Sequence, residues 1–353
     1  MGTTPTPQLA KGIPLVGIAR LAAESPRDHA RADVEYYRLT TRSILNRESS
    51  GRMPFAWTIN PYRGCEFGCH YCYARCTHEF MELRDDGDFE RKVYAKAGAP
   101  ELLRAELALA RDKGLPIALG TATDPYQSAE KHFQITRRML KVFAEFQGLN
   151  LSLTTKSVLI LRDLDLLPAV AASNQFRVHM TITTLDEGLA RRLEPKAPAP
   201  ARRLEAVRQL GRAGLHVGVN VMPILPGLND APPALEGLAA GAAEAGARFL
   251  YGNVLFLTPS VFRHFMPFLD KEFPRLVKRY RRLYAHSAYL RGEYVEGVRQ
   301  LLAAIRRRHG LEEDSGRIGP AAFHGQMTLP LDGAPSPSRP ARGVALAFPR
   351  SAC

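Results

Sequence analysis

Nowhere in the 353 residues does an apolar run approach the roughly 18 consecutive residues that a bilayer-spanning helix needs, so the chain is not read as a membrane protein. The first residues, Met1-Gly2-Thr3-Thr4-Pro5-Thr6, lack the basic start and apolar core of a secretory signal. They match a myristoylation pattern, but without the polybasic stretch that supports anchoring. A cytoplasmic, unlipidated protein is the expectation. Cysteine is scarce and poorly spread for crosslinking: of five, four crowd into Cys65, Cys69, Cys72 and Cys76, and the last is Cys353. A disulfide framework would distribute them along the chain, so the cluster points to metal or redox chemistry. Acidic residues are also short, 35 against 48 Lys and Arg, leaving a formal charge of +13. That excess favours anionic partners, because Lys and Arg placed near phosphates release counterions. Arginine-rich runs such as 275–282 and 306–308 equally suit solvated helix faces. With 45% hydrophobic and 24% charged residues, wholesale disorder, collagen and coiled coil are excluded, and the length fits one large α/β domain or two ordinary ones.

Residues 1–50 are polar, arginine-bearing and short of strand pattern, and are expected to form an N-terminal extension. From Ala56 onward short β-rich runs alternate with longer amphipathic ones, the pattern of βα units around a parallel sheet. Strands are expected over 56–60, 116–120, 151–155, 177–183, 216–222 and 249–257, with helices such as 99–113, 131–146, 199–213 and 231–245 between them. A further short extended run covers 92–96. Six such units suit an open doubly wound sheet or a complete or partial barrel, and periodicity does not choose between them. Polar or Pro/Gly-rich turns follow most strands: 63–65, 123–125, 156–157, 184–186 and 223–227. Parallel α/β folds bind ligands at the carboxyl ends of their strands, so one central pocket is expected there. Residues 271–309 read as basic helix, and the rising Gly, Pro and Ser content from Gly310 reads as a mobile tail. The expected division is an extension at 1–50, a core domain at 51–290, and a C-terminal helix and tail at 291–353.

The segment Asn60-Pro61-Tyr62-Arg63-Gly64-Cys65-Glu66-Phe67-Gly68-Cys69-His70-Tyr71-Cys72-Tyr73-Ala74-Arg75 follows the first of these strands directly. Its three thiols therefore belong to a loop at the site-forming end. Closely spaced thiolates want a soft metal. Structural zinc sites pair two separated knuckles, and no second CxxC or suitably spaced His pair is present. Ferredoxin-type ligation uses C-x₂-C-x₂-C with a distant cysteine followed by proline, whereas here the first gap is three residues and Thr77 follows Cys76. Gly64 and Gly68 suit a loop that wraps a bulky cluster. Cys76 lies four residues beyond Cys72, one helical turn further if a helix begins there. It reads either as a fourth ligand or as a small, partly buried residue, and the second reading is preferred.

The run Cys65-x₃-Cys69-x₂-Cys72, with Tyr71 before the last cysteine, resembles the signature of the radical S-adenosylmethionine (radical SAM) superfamily. Asn60 to Cys65, Gly120-Thr121-Ala122-Thr123-Asp124-Pro125-Tyr126, Thr154-Thr155-Lys156-Ser157 and Glu194-Pro195 narrow the resemblance to its spore photoproduct lyase-like branch, over about residues 51–290. The resemblance implies a partial (β/α)₆ barrel of TIM type. It implies a [4Fe-4S] cluster held by Cys65, Cys69 and Cys72, with one iron left open to chelate S-adenosylmethionine (SAM). Electron transfer would then split SAM to a 5′-deoxyadenosyl radical that abstracts hydrogen from substrate. By the same carry-over Tyr71 joins the cofactor-binding residues, Thr123 and Asp124 meet the SAM amino group, and Lys156 pairs with its carboxylate. Thr181 and Thr183, on one side of the fourth strand, would offer a hydroxyl to the ribose, and 223–226 would border the adenine.

One departure counts against dimer repair by the branch's own mechanism. True spore photoproduct lyases carry a hydrogen-donating cysteine just ahead of the position of Thr123, and Gly120, Thr121 and Ala122 supply none. The basic surface makes nucleic acid the first choice of substrate, with a small molecule or a protein side chain left open. An external reductant of flavodoxin or ferredoxin type is implied. The competing reading is a nucleic-acid-binding protein whose cluster, closed by Cys76, is structural or redox-sensing and never cleaves SAM. Gln326-Met327-Thr328-Leu329 resembles the opening of peptides that dock bacterial sliding clamps, although Pro330 stands where an aromatic is usual.

Overall fold

The computed structural model describes residues 14–48, 53–85, 87–109 and 114–311. Strands with almost no exposed position are those that a parallel sheet covers on both faces. Such strands are β7 (Pro116–Leu119), β8 (Asn150–Thr155), β9 (Gln175–Thr181) and β10 (His216–Ile224). With β4 (Trp57–Ile59) before them and β11 (Leu250–Val254) after, they form six parallel strands in chain order. The register carries one apolar row across the sheet, pairing Ile59 with Leu119, Leu119 with Leu153, Leu153 with Val178 and Val178 with Val217. All five side chains are buried. An edge strand, β3 (Asn46–Arg47), adds antiparallel to β4. Among the described residues β11 does not pair with β3, and the curved sheet is a partial (β/α)₆ barrel. Helices Ala99–Leu109, Ile135–Ala144, Leu167–Ser173, Pro200–Arg212 and Pro232–Glu244 alternate with the strands, and three of them carry a proline within their first two residues, where its missing N–H costs nothing.

The expected extension contains strands after all. A hairpin of β1 (Arg27–Arg31) and β2 (Val34–Arg38) joins β6 (Lys92–Ala95) and β5 (Tyr62–Arg63) in a second, four-stranded sheet beside the barrel. Two features conceal it in sequence. Its turn places Ala32 at φ +52°, where Gly or Asn would announce a hairpin, and its faces carry Arg27, Asp28, Arg31, Glu35 and Arg38. Further differences are local. The expected helix over 131–146 breaks at Gln134, in the left-handed region at φ +50°, into Glu130–Phe133 and Ile135–Ala144. The fourth parallel strand stops at Thr181, short of Thr183. The basic run expected over 271–309 is not one helix: it takes in the end of Pro259–Glu272 and then Val277–Leu283 and Glu293–His309. No helix among the described residues is long and apolar enough to cross a membrane. The clamp-like segment 326–329 and most of the expected tail lie outside the described residues.

Candidate active site at the mouth of the barrel

The cysteine loop leaves the carboxyl end of β4 and is tied down at once. Asn60 accepts from the Ala122 N–H at 2.7 Å and donates to the Thr121 hydroxyl at 3.0 Å, which joins the loops after β4 and β7. Gly64 is at φ +81°, and a Cβ there would stand 2.6 Å from the Lys92 carbonyl oxygen, so only glycine fits. The Gly64 carbonyl accepts from the Thr123 hydroxyl at 2.6 Å and from Gln127 at 3.0 Å. Glu66, buried, accepts from the Ala129 N–H at 2.7 Å and from the Tyr36 hydroxyl at 2.9 Å, so the second sheet braces the loop. On the far side His70 N–H donates to Leu193 and Lys196 N–H to Phe67.

Cys65, Cys69 and Cys72 form no disulfide and sit within the barrel mouth, the first two buried. Burial pushes all three thiols up, Cys69 to about 12, and each lies in the field of another. Three soft donors sharing one enclosed space, unbridged and costly to ionise alone, suit a cationic metal cluster that takes their protons' place. Lys156 and Arg203 pull the other way on Cys69, favouring its thiolate.

Beside the thiols lies a buried network. Glu194 accepts from the Tyr71 hydroxyl, and from Thr183 at 3.0 Å, while its second oxygen lies 2.5 Å from Arg203 Nη2. Arg203 also donates to the Pro198 carbonyl at 2.7 Å and the Thr181 carbonyl at 3.1 Å. Burial opposes ionisation of Glu194, but Arg203 and Lys156 outweigh it and hold the carboxyl below its ordinary range. Burial likewise works against the Lys156 ammonium, and Cys69 and Glu194 reverse it, so Lys156 stays charged. Its Nζ stands 5.7 Å from the Tyr71 ring centroid and makes no hydrogen bond or ion pair among the described residues.

The residues singled out from sequence divide by what occupies them. Asp124 accepts from the Thr155 hydroxyl at 2.7 Å, the Tyr126 N–H at 2.9 Å and the Lys156 N–H at 2.7 Å, bracing the ends of β7 and β8. Burial nevertheless raises its carboxyl above the ordinary value. Thr123 and Thr183 hold the cysteine loop and Glu194 respectively, and Thr181 is buried at the last position of β9. The 223–226 segment is fixed by Asn229, which donates to the Thr183 carbonyl at 2.7 Å and accepts from the Leu225 N–H at 2.6 Å. Cys76 opens the short helix Cys76–Glu79, buried, with its Sγ 3.1 Å from the Tyr73 carbonyl oxygen. Arg203, Gln127 and Glu66 were not foreseen. Arg203 looked like one more basic residue beside Arg202, yet it precedes Ala206, Val207 and Leu210 on the buried face of Pro200–Arg212, which is the signal that could have found it.

The mouth is walled by the helix Pro259–Glu272, whose Phe268 stacks on His70 at 4.0 Å between centroids. Tyr73, Phe256 and Tyr289 continue the wall at 5.5 and 5.2 Å. A parallel six-stranded partial barrel with three unbridged thiols on the loop after its first strand offers a set of soft donors suited to a metal at its mouth. The profile of the radical SAM superfamily matches residues 59–235, and the chain belongs to that superfamily. An uncharacterized protein of Mycobacterium tuberculosis is 33% identical over 304 residues, 86% of this chain and 88% of the relative. One from Methanocaldococcus jannaschii is 30% identical over 218 residues, covering 62% and 76%. Among solved structures, spore photoproduct lyase complexed with dinucleoside spore photoproduct superposes with a TM-score of 0.60 at 16% identity, covering 86% of this chain and 85% of the other. At that identity the likeness concerns the fold, and it agrees with the partial barrel described above.

Proposed function

We propose that this enzyme holds a [4Fe-4S] cluster on Cys65, Cys69 and Cys72, cleaves SAM reductively, and acts on a nucleic acid. The observation that carries this reading is the convergence of three unbridged thiols with the unpartnered ammonium of Lys156. A cluster bound there supplies the low-potential electron that splits the sulfonium of SAM into methionine and a hydrogen-abstracting radical. The chain's own residues bind and orient. Lys156 is set to pair with the SAM carboxylate, and Arg203 and Glu194 fix Tyr71 beside it. A carboxylate offers about four acceptor positions. Asp124 spends three on protein donors and keeps one for the SAM amino group. Thr123, Thr181 and Thr183 complete the cofactor wall, with 223–226 against the adenine. The electron comes from a flavodoxin- or ferredoxin-type donor.

Support for a nucleic acid is electrostatic. The net charge is +13, and Lys271, Arg275, Lys278, Arg281 and Arg282 are exposed without an acidic partner among the described residues. They flank the mouth, because Arg279 and Leu276 pack on Gly227 in the turn after β10. The reaction differs from dimer repair through a cysteine donor. Position 120 is at φ +89°, where a Cβ would stand 2.6 Å from the Thr154 carbonyl oxygen, and positions 121 and 122 carry no thiol. The test is 5′-deoxyadenosine formation from SAM after anaerobic reconstitution, followed by tritium or deuterium transfer from labelled oligonucleotide into 5′-deoxyadenosine. Transfer supports the substrate class, and turnover without transfer from any nucleic acid removes it.

A further inference from the structure

We infer that Arg63 and Lys96 form a binding site for a phosphate-class oxyanion on the outer side of the cysteine loop. In the second sheet Arg63 pairs with Tyr94, and Lys96 follows two residues later, its N–H donating to the Pro61 carbonyl as the ladder ends. On a pleated sheet these three side chains project to one face. The opposite face, with Tyr62 and Ala95, packs into the main core, while Tyr94 belongs to a separate small cluster with Ala22, Leu39 and Met81. Arg63 and Lys96 thus share a compartment apart from the thiols and Lys156.

That compartment carries two cations and, among the described residues, no counter-charge. Lys96 is only 6% exposed and makes no hydrogen bond or ion pair among the described residues from its ammonium, and the buried Arg63 Nε has no partner. The acids close by are already committed: Asp88 pairs with Lys92 at 2.7 Å and Glu90 with Arg75 at 2.7 Å. His78, next to Gly64 and Phe89, donates Nε2–H to the Lys92 carbonyl and stays neutral, because burial pushes it down to about 4. Burial and the field of Arg63 together bring the Lys96 ammonium down to about 7. Two neighbouring cations withdrawn from water without an anion are costly, and a guanidinium fork beside an ammonium is the donor set that grips a phosphate. Bound there, the anion is held by Arg63, two residues ahead of the first cluster cysteine, so its arrival and the order of the cysteine loop are linked. We assign the phosphate to the backbone of the nucleic-acid substrate, a step that rests on the proposed function. The site itself does not.

Titration of the cluster-loaded protein with inorganic phosphate by calorimetry, without SAM, reads the site alone. The expected result is saturable binding, weakened at least tenfold in Lys96→Met and abolished in Arg63→Gln/Lys96→Met. In phosphate-free buffer Lys96→Met is expected to melt at or above the wild-type temperature, since it removes an uncompensated cation. No saturable phosphate binding, or equal binding by wild type and variants, overturns the site. So does a Lys96→Met protein that melts well below wild type without phosphate, because the amine would then have a structural partner. Competition with a short single-stranded oligonucleotide decides the source. Displacement of phosphate supports the backbone assignment, and no displacement overturns that half, leaving free phosphate as the ligand.

Discussion

At the residue scale the site is organised by what each polar group has left over after the protein's own bonds are made. Asp124, Thr123 and Thr183 were legible as motif members, and their hydrogen bonds show them holding the frame of the site. Lys156 is the converse case, since its neighbours keep it charged and none takes its protons. Lys156→Met keeps the length of the stem and removes only the charge. Isothermal titration of the reconstituted variant is expected to show SAM binding weakened about tenfold to hundredfold, on the order of 1.4–3 kcal/mol, with iron content unchanged. Unchanged SAM affinity would remove Lys156 from the cofactor site. Arg203 escaped sequence reading because arginine on a helix is normally solvated, and only the apolar neighbours at helical spacing mark it as interior.

At the scale of elements, alternation of short β-rich runs with longer amphipathic ones made the six parallel strands legible, because each βα unit returns the chain to the same edge-to-edge order. The hairpin of β1 and β2 was not legible, because only Val34, Tyr36 and the following Leu39 are buried and most of the remaining positions are charged. Its tie to the site is Tyr36, whose hydroxyl bonds Glu66 inside the cysteine loop. Tyr36→Phe leaves that buried oxygen short of a donor and is expected to lower unfolding free energy by about 1–3 kcal/mol in urea. A change within a few tenths would detach the hairpin from the site. Two residues before the end of β9 stands His179, packed against Phe249 and Tyr251 with Nδ1 3.2 Å from Asn220 Oδ1. Burial brings its pKa from 6.5 to about 4. The unfolded chain therefore binds a proton between those values that the folded chain refuses, and stability falls as pH drops from 6.5 toward 4. Between pH 7 and pH 5 this group costs about 2 kcal/mol. His179→Gln is expected to flatten the pH dependence by that amount, and an unaltered slope would contradict the assignment.

For the whole molecule, one end of the barrel gathers thiols, the Lys156 and Arg203 cations and an aromatic wall, and its flank carries unpaired positive charge. The charge excess was visible in composition, but its placement beside the mouth follows only from how Val277–Leu283 packs near Gly227. If that flank tracks a phosphate backbone, Arg275→Ala/Lys278→Ala/Arg282→Ala weakens binding to all single-stranded sequences alike. The slope of log affinity against log salt then falls by about 2, at roughly 0.7 for each phosphate that is no longer neutralised. A slope equal to wild type would place the nucleic acid elsewhere. The chemistry at the thiols is read most directly from the fate of SAM. Protein reconstituted anaerobically with iron and sulfide, reduced with dithionite and given SAM is expected to yield 5′-deoxyadenosine, and Cys69→Ala none. A full four-iron cluster that leaves SAM intact would mean that the cluster is structural or redox-sensing and that the protein is not a SAM-cleaving enzyme.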